Sequence, residues 1–266
     1  MIINNIENKL KKIVLLWVAI AAILSPVLFA QNSTKVTIVV AANLKPAMDS
    51  ILAIYKSQYP KEVVQVIYGA SGKLYEQIIN GAPFDIFFSA DMGYPEKLKE
   101  KKLISSVIKL YAIGQLAIWS KKINPATKQM NSLIDVGVKK VAIANPSTAP
   151  YGARAVESLI YYKLYDKIKP NLVYGENIAQ AAQFAAFGAA DVAIVALSEC
   201  LAPNMKKESG KYWIIPAKSH KPLEQGCVIL KYAQKNTAAT KFFDFISNKA
   251  VINILYHYGY TCPENK

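Results

Sequence analysis

From Val36 onward the chain alternates between short apolar runs rich in β-branched residues and segments whose apolar positions recur every three or four residues. Residues 36–40, 63–68, 86–88, 141–144, 172–174 and 192–197 predict buried strands, and 111–119 predicts one long strand. Further strand-like runs occur at 213–216 and 226–230. Between them, Met48, Ile51, Leu52 and Tyr55 mark one helical face, and Leu74, Ile78 and Ile79 mark a second. Residues 95–102, 153–165 and the alanine-rich stretch 178–187 predict helices, and 237–257 predicts one or two more. Strands that alternate with helices imply an α/β chain with parallel sheets covered on both faces.

In such sheets a ligand sits beyond the carboxyl ends of the strands, where loops meet helix N-termini. That rule selects residues 41–43, 69–72, 145–152 and 175–178, all rich in small or polar side chains. The first N–H groups of a helix have no intrahelical partner and carry a partial positive charge, so several converging starts make an anion site. Asn43, Ser71 and Asn177 suit N-cap positions, and the first two also have side chains able to donate. Each of the three, taken alone, reads equally as an ordinary cap.

The N-terminus changes the compartment. Lys9, Lys11 and Lys12 precede an apolar run from Ile13 to about Ala30 that Ser25 and Pro26 interrupt, the order of a secretory signal cut after Ala30. Residues 1–30 are therefore expected to be a signal peptide and the mature protein to be exported. The formal net charge is +14, with the lysines scattered rather than interleaved with aromatic reading positions. Export and that scatter argue against nucleic acid as a partner. Of three cysteines, Cys227 lies in an apolar run and predicts a buried thiol, which leaves Cys200 with Cys262 as the available pair.

Enzyme chemistry finds little support. Gly69–Lys73 resembles part of a phosphate loop, but the spacing is short and Leu74 stands where a hydroxyl is required. His220 and His257 neighbour no nucleophile motif. An exported hydrolase using Ser71 with Lys73 is the alternative of a different class.

Six blocks in order resemble the periplasmic molybdate-binding proteins: Ala41-Ala42-Asn43-Leu44, Gly69-Ala70-Ser71-Gly72-Lys73-Leu74, Gly81 to Asp91, Ala144 to Gly152, Tyr174 to Gln180, and Val195-Ala196-Leu197-Ser198. The similarity runs from about Val36 to Tyr260. The resemblance implies a two-lobed periplasmic binding protein fold, each lobe a mostly parallel sheet flanked by helices, joined by a two-segment hinge. Lobe one is expected at 35–112 plus 224–262, and lobe two at 113–223. It further implies a monomer, not an enzyme, that captures molybdate or tungstate in the cleft for the membrane permease of an ABC importer. No cofactor is expected beyond that ligand. Carried over, the oxyanion contacts fall on Asn43 and Ser71 from lobe one and on the backbone N–H groups of Tyr151 and Ile178 from lobe two, with no residue touching the metal itself. This chain departs from some relatives at Ala42, where they have threonine, and at Ala196, where they have a tyrosine hydroxyl. A binding protein of the same architecture for sulfate or phosphate is the nearest competing reading.

Overall fold

The computed structural model describes residues 35–262, so the expected signal peptide lies outside the described residues. Among the described residues, ten strands form two five-stranded sheets. The first contains β1 (Lys35–Ala41), β2 (Val63–Gly69), β3 (Ile86–Phe88), β4 (Lys109–Gly114) and β10 (Leu223–Ile229), in the order β2-β1-β3-β10-β4. The second contains β5 (Leu116–Ser120), β6 (Val141–Ala144), β7 (Leu172–Gly175), β8 (Val192–Ala196) and β9 (Lys211–Ile214), in the order β7-β6-β8-β5-β9. β1 pairs in parallel with β2 and β3, whereas β10 runs antiparallel to β3 and β4. The second sheet repeats the scheme, with β6 parallel to β7 and β8, and β5 antiparallel to β8 and β9. In each sheet one strand alone opposes the common direction, so the sheets are mixed in pairing and mostly parallel in direction.

The apolar runs follow from coverage on both faces. Along β1, Ile38 and Val40 pack beneath the helices Lys45–Gln58, Thr237–Phe245 and Lys249–His257, while Val39 faces Leu74, Ile78 and Leu98 on the other side. In the second sheet Ile118, Ile143 and Ile194 meet the helix Pro150–Tyr161, and Ala117, Ala142 and Ala193 meet the alanines of Ile178–Ala186. Small residues on both partners let that helix lie close to its sheet.

The residues expected to form one strand at 111–119 form two. β4 ends at Gly114, β5 begins at Leu116, and the chain changes sheets at Gln115. Strand-like apolar residues flank the crossing on both sides, and the break between them is confined to the Gly114-Gln115 pair. A second crossing joins β9 to β10. The short helices Leu197–Leu201 and Pro203–Lys207 were not expected from the pattern, and the stretch 237–257 is two helices.

The pairing of Cys200 with Cys262 is also corrected: all three cysteines are free. Cys200 is buried in the second sheet's core, its thiol directed to Ala196 O, whereas Cys262 packs against the first sheet's core. Cys227 is a buried thiol, as its setting implied.

Candidate functional site

Four chain segments end strands and start helices around one cavity. It offers about 190 Å³ of empty space, part of it open to solvent, and is lined by Ala41, Ala42 and Asn43, by Gly69, Ala70 and Ser71, by Ala149, Pro150 and Tyr151, and by Asn177 and Ile178, with Ala90 completing the wall. Asn43, Ser71, Tyr151 and Ile178 thus meet at one place, two from the ends of β1 and β2 and two from the ends of β6 and β7. Ala42, without a hydroxyl, also lines it, whereas Ala196 is fully buried and is not among the lining residues.

Each segment presents the start of a helix. A 3-10 turn opens at Ala42 and runs into the helix from Lys45, and the other helices begin at Ser71, Pro150 and Ile178. Ser71 and Ile178 are first helical residues, Tyr151 is a second, and Asn43 is the second residue of its 3-10 turn. Their backbone N–H groups therefore belong to the set without intrahelical acceptors. Pro150 suits its position because the N–H of a first helical residue has no intrahelical acceptor, so proline costs no helix bond there.

Of the three expected N-caps, only Asn177 acts as one, its Oδ1 accepting from Gln180 N at 3.1 Å. Ala41 and Ala70 occupy the cap positions before Asn43 and Ser71. Asn43 lies inside its turn with its amide turned away from the helix end, and Nδ2 donates to Gln225 Oε1 at 2.9 Å and to the Tyr260 hydroxyl at 3.0 Å. The Ser71 hydroxyl accepts from Ala90 N at 3.0 Å. A hydroxyl has one proton to give besides the lone pairs it offers, so accepting this bond leaves Ser71 O–H as a donor at the cavity wall. Asp91 supports the same loop, its Oδ1 accepting from Ser89 Oγ at 3.0 Å and from Tyr94 N at 3.1 Å. Burial raises the Asp91 carboxyl above its ordinary range, against the lowering effect of those bonds and of Arg154 and Lys97.

The cavity is electrically neutral. Tyr151 is the one lining side chain that titrates, and burial holds its phenol well above the ordinary range, opposed by its hydrogen bond from Gln225. Donors are therefore dipoles and N–H groups rather than cations, an arrangement suited to an anion.

Bonds between the two sheet systems close the space. Gly72 N donates to Thr148 O at 2.8 Å, and Ser198 Oγ donates to Asn43 O at 2.8 Å. Gly72 must lack a side chain for this approach, since a Cβ there would lie 2.5 Å from the Tyr94 hydroxyl and 2.9 Å from Thr148 O. Sequence reasoning placed Ala90 and Ser198 in the matched blocks without giving either a role, and it missed Gln225 and Tyr260. Tyr260 is brought in by the pairing of Thr261 with Ile113, and nothing near it in the chain signals a role.

Two further observations remove the hydrolase reading. Lys73 is exposed while Ser71 is buried, and the partner of Ser71 Oγ is an amide rather than a base. Neither His220 nor His257 lines the cavity.

The profile of the bacterial extracellular solute-binding proteins matches residues 36–261. This chain belongs to that family. The Rhodobacter capsulatus protein named molybdate-binding protein ModA is 36% identical over 228 residues, spanning 85% of this chain and 88% of that protein. The Azotobacter vinelandii protein of the same name is 37% identical over 232 residues, spanning 87% and 91%. The solved structure of the Azotobacter vinelandii periplasmic molybdate-binding protein superposes with a TM-score of 0.79 at 31% identity, covering 86% of this chain and all of that one. Family and architecture thus agree with the α/β two-lobed fold of an extracellular binding protein.

Proposed function

We propose that this chain is the periplasmic component of an ABC importer that captures molybdate or tungstate in the cavity between its sheets. The observation that carries the reading is the convergence of four helix starts, from both sheet systems, on one neutral cavity. The two relatives above 35% identity, both named molybdate-binding proteins, supply the ligand class.

Molybdate is a dianion at neutral pH. Bonds from N–H and O–H donors to it are charge-assisted, and they strengthen when closure excludes water. In this reading Ser71 donates through its hydroxyl, and Asn43, Tyr151 and Ile178 donate through their backbone N–H groups. The Asn43 side chain is committed to Gln225 and Tyr260 and serves as support. Residues 35–112 with 224–262 act as lobe one and 113–223 as lobe two, bounds that fall within a few residues of the changes of sheet at Gln115 and between β9 and β10. Closure over the anion produces the form that a membrane permease reads, with the protein acting as a monomer. Selection against sulfate comes from cavity size, because molybdate has the longer bonds to oxygen.

Titration calorimetry with molybdate, tungstate, sulfate and phosphate tests this directly. Molybdate and tungstate are expected to bind far more tightly than the other two. Tighter binding of sulfate than of molybdate would end the proposal.

A further inference from the structure

Behind the cavity lies a buried polar cluster whose centre is Gln225, a residue of β10 that is fully buried and does not line the cavity. Its Oε1 accepts from Asn43 Nδ2 at 2.9 Å and from the Tyr111 hydroxyl at 2.9 Å, and its Nε2 donates to the Tyr151 hydroxyl at 3.0 Å. Asn43 and Tyr151 are themselves 1% and 2% exposed. They stand on opposite sides of the cavity, Asn43 at the end of β1 and Tyr151 at the start of the helix after β6. One amide therefore grips both.

Two irregularities of the backbone accommodate this grip. Gln225 pairs with Ala112 and Gly226 with Leu110, so Tyr111 is an extra residue in the β4 ladder. A bulge of this kind re-aims side chains, and here the extra residue sends its hydroxyl to the amide. Gly114 then passes beside the Gln225–Tyr151 bond so closely that a Cβ would lie 2.0 Å from the Tyr151 hydroxyl and 2.6 Å from Gln225 Nε2. Two of the three partners are phenols that burial keeps protonated, and the grip needs an amide because it must accept from Asn43 and Tyr111 and donate to Tyr151.

We propose that Gln225 is a specificity-determining positioning residue, which sets the width of the oxyanion cavity by holding Asn43 and Tyr151 on a single amide. The inference rests on the oxyanion reading above. Tetrahedral oxyanions of like charge differ in the reach of their oxygens, and a hydrogen bond weakens steeply once its length and angle leave their preferred range. A rigid Asn43–Gln225–Tyr151 bridge holds the helix starts at one separation and so favours one size. With the bridge cut, the cleft adapts to each anion, and the larger one loses its advantage.

The test is calorimetry with molybdate, using sulfate as competitor, on the parent, Gln225→Met and Tyr111→Phe. Gln225→Met is expected to lower the molybdate-to-sulfate affinity ratio by about ten-fold, and Tyr111→Phe, which removes one bond to Oε1, by about three-fold. A merely structural role predicts lower melting temperatures with equal losses for both anions. A folded Gln225→Met protein whose ratio stays within about two-fold of the parent would overturn the proposal. Should Gln225→Met fail to fold, an unchanged ratio in Tyr111→Phe overturns it equally. A parent protein that does not prefer molybdate refutes the oxyanion reading instead, so the two failures are separable.

Discussion

Replacing Ser71 by alanine removes one hydroxyl that serves two partners, and the two losses appear in different measurements. Towards the protein, Oγ accepts from Ala90 N at 3.0 Å, where Ser71 is 1% and Ala90 2% exposed. Without it that N–H is buried and unpaired, at a cost of about 1–3 kcal/mol. For a chain of this size the loss lowers the melting temperature by roughly 2–10 °C. Ser71 and Ala90 both follow strands of the first sheet, so this term is the same in ligand-free and ligand-bound protein and cancels from the dissociation constant. Towards the cavity, the hydroxyl proton is the donor proposed for the anion, and losing a bond to a charged partner weakens binding by about ten- to a hundred-fold. Differential scanning calorimetry of ligand-free Ser71→Ala reads the first term, and titration with molybdate reads the second. A lower melting temperature with an unchanged dissociation constant would make Ser71 a support of the Ala90 loop and nothing more. An unchanged melting temperature would refute the hydrogen bond itself.

The backbone donor of Ile178 and the buried Glu199 give two further tests. Asn177 is extended, with φ −141° and ψ 178°, and Ile178 is the first helical residue, a place where proline fits without costing a helix bond. Ile178→Pro is expected to keep its circular dichroism and lose about ten-fold in molybdate affinity, while Ile178→Val binds nearly as the parent does; equal affinities in all three proteins would remove Ile178 from the site. Glu199 is 6% exposed, its Oε1 has no hydrogen-bond partner among the described residues, and burial pushes its carboxyl up to about 8 against the lowering effect of Lys45. Because the native state then holds a proton that the unfolded chain has released, its contribution to stability is present at low pH and declines as pH rises from about 4.5 to about 8. Melting temperatures of the parent measured from pH 5 to 8 should fall relative to those of Glu199→Gln, and parallel profiles would contradict the assignment.

The loops around the cavity were legible in the sequence because their chemistry is local. A strand ending in small residues, followed by helical periodicity, marks the four loops 41–43, 69–72, 145–152 and 175–178, whereas the parts of Tyr151 and Ile178 in particular are what the family resemblance implies. What such a window conveys is where a segment ends, not what its side chains do there. Asn43 and Ser71 looked like caps because their types favour that role, yet the turn at Asn43 begins one residue earlier and the Ser71 hydroxyl is claimed by the loop after β3. The crossing at Gln115 leaves only the Gly114-Gln115 pair as its mark, and because strand-like residues flank that pair on both sides the run reads as one strand.

The supporting cluster lay beyond local reasoning altogether. Gln225 is separated from Asn43 by 182 positions, and Tyr260 by 217. Within its own segment Gln225 follows Glu224, as a solvated residue at a strand entrance would. Its burial costs free energy unless every polar atom finds a partner. Those partners are Asn43, Tyr111 and Tyr151, which come together only once both sheets have formed and the chain has crossed between them twice. A polar residue of this kind is therefore selected by the assembled fold rather than by its neighbours in sequence. The same dependence makes it a reporter of cavity geometry, because its bonds to Asn43 and Tyr151 hold together only while the two sheet systems keep their separation.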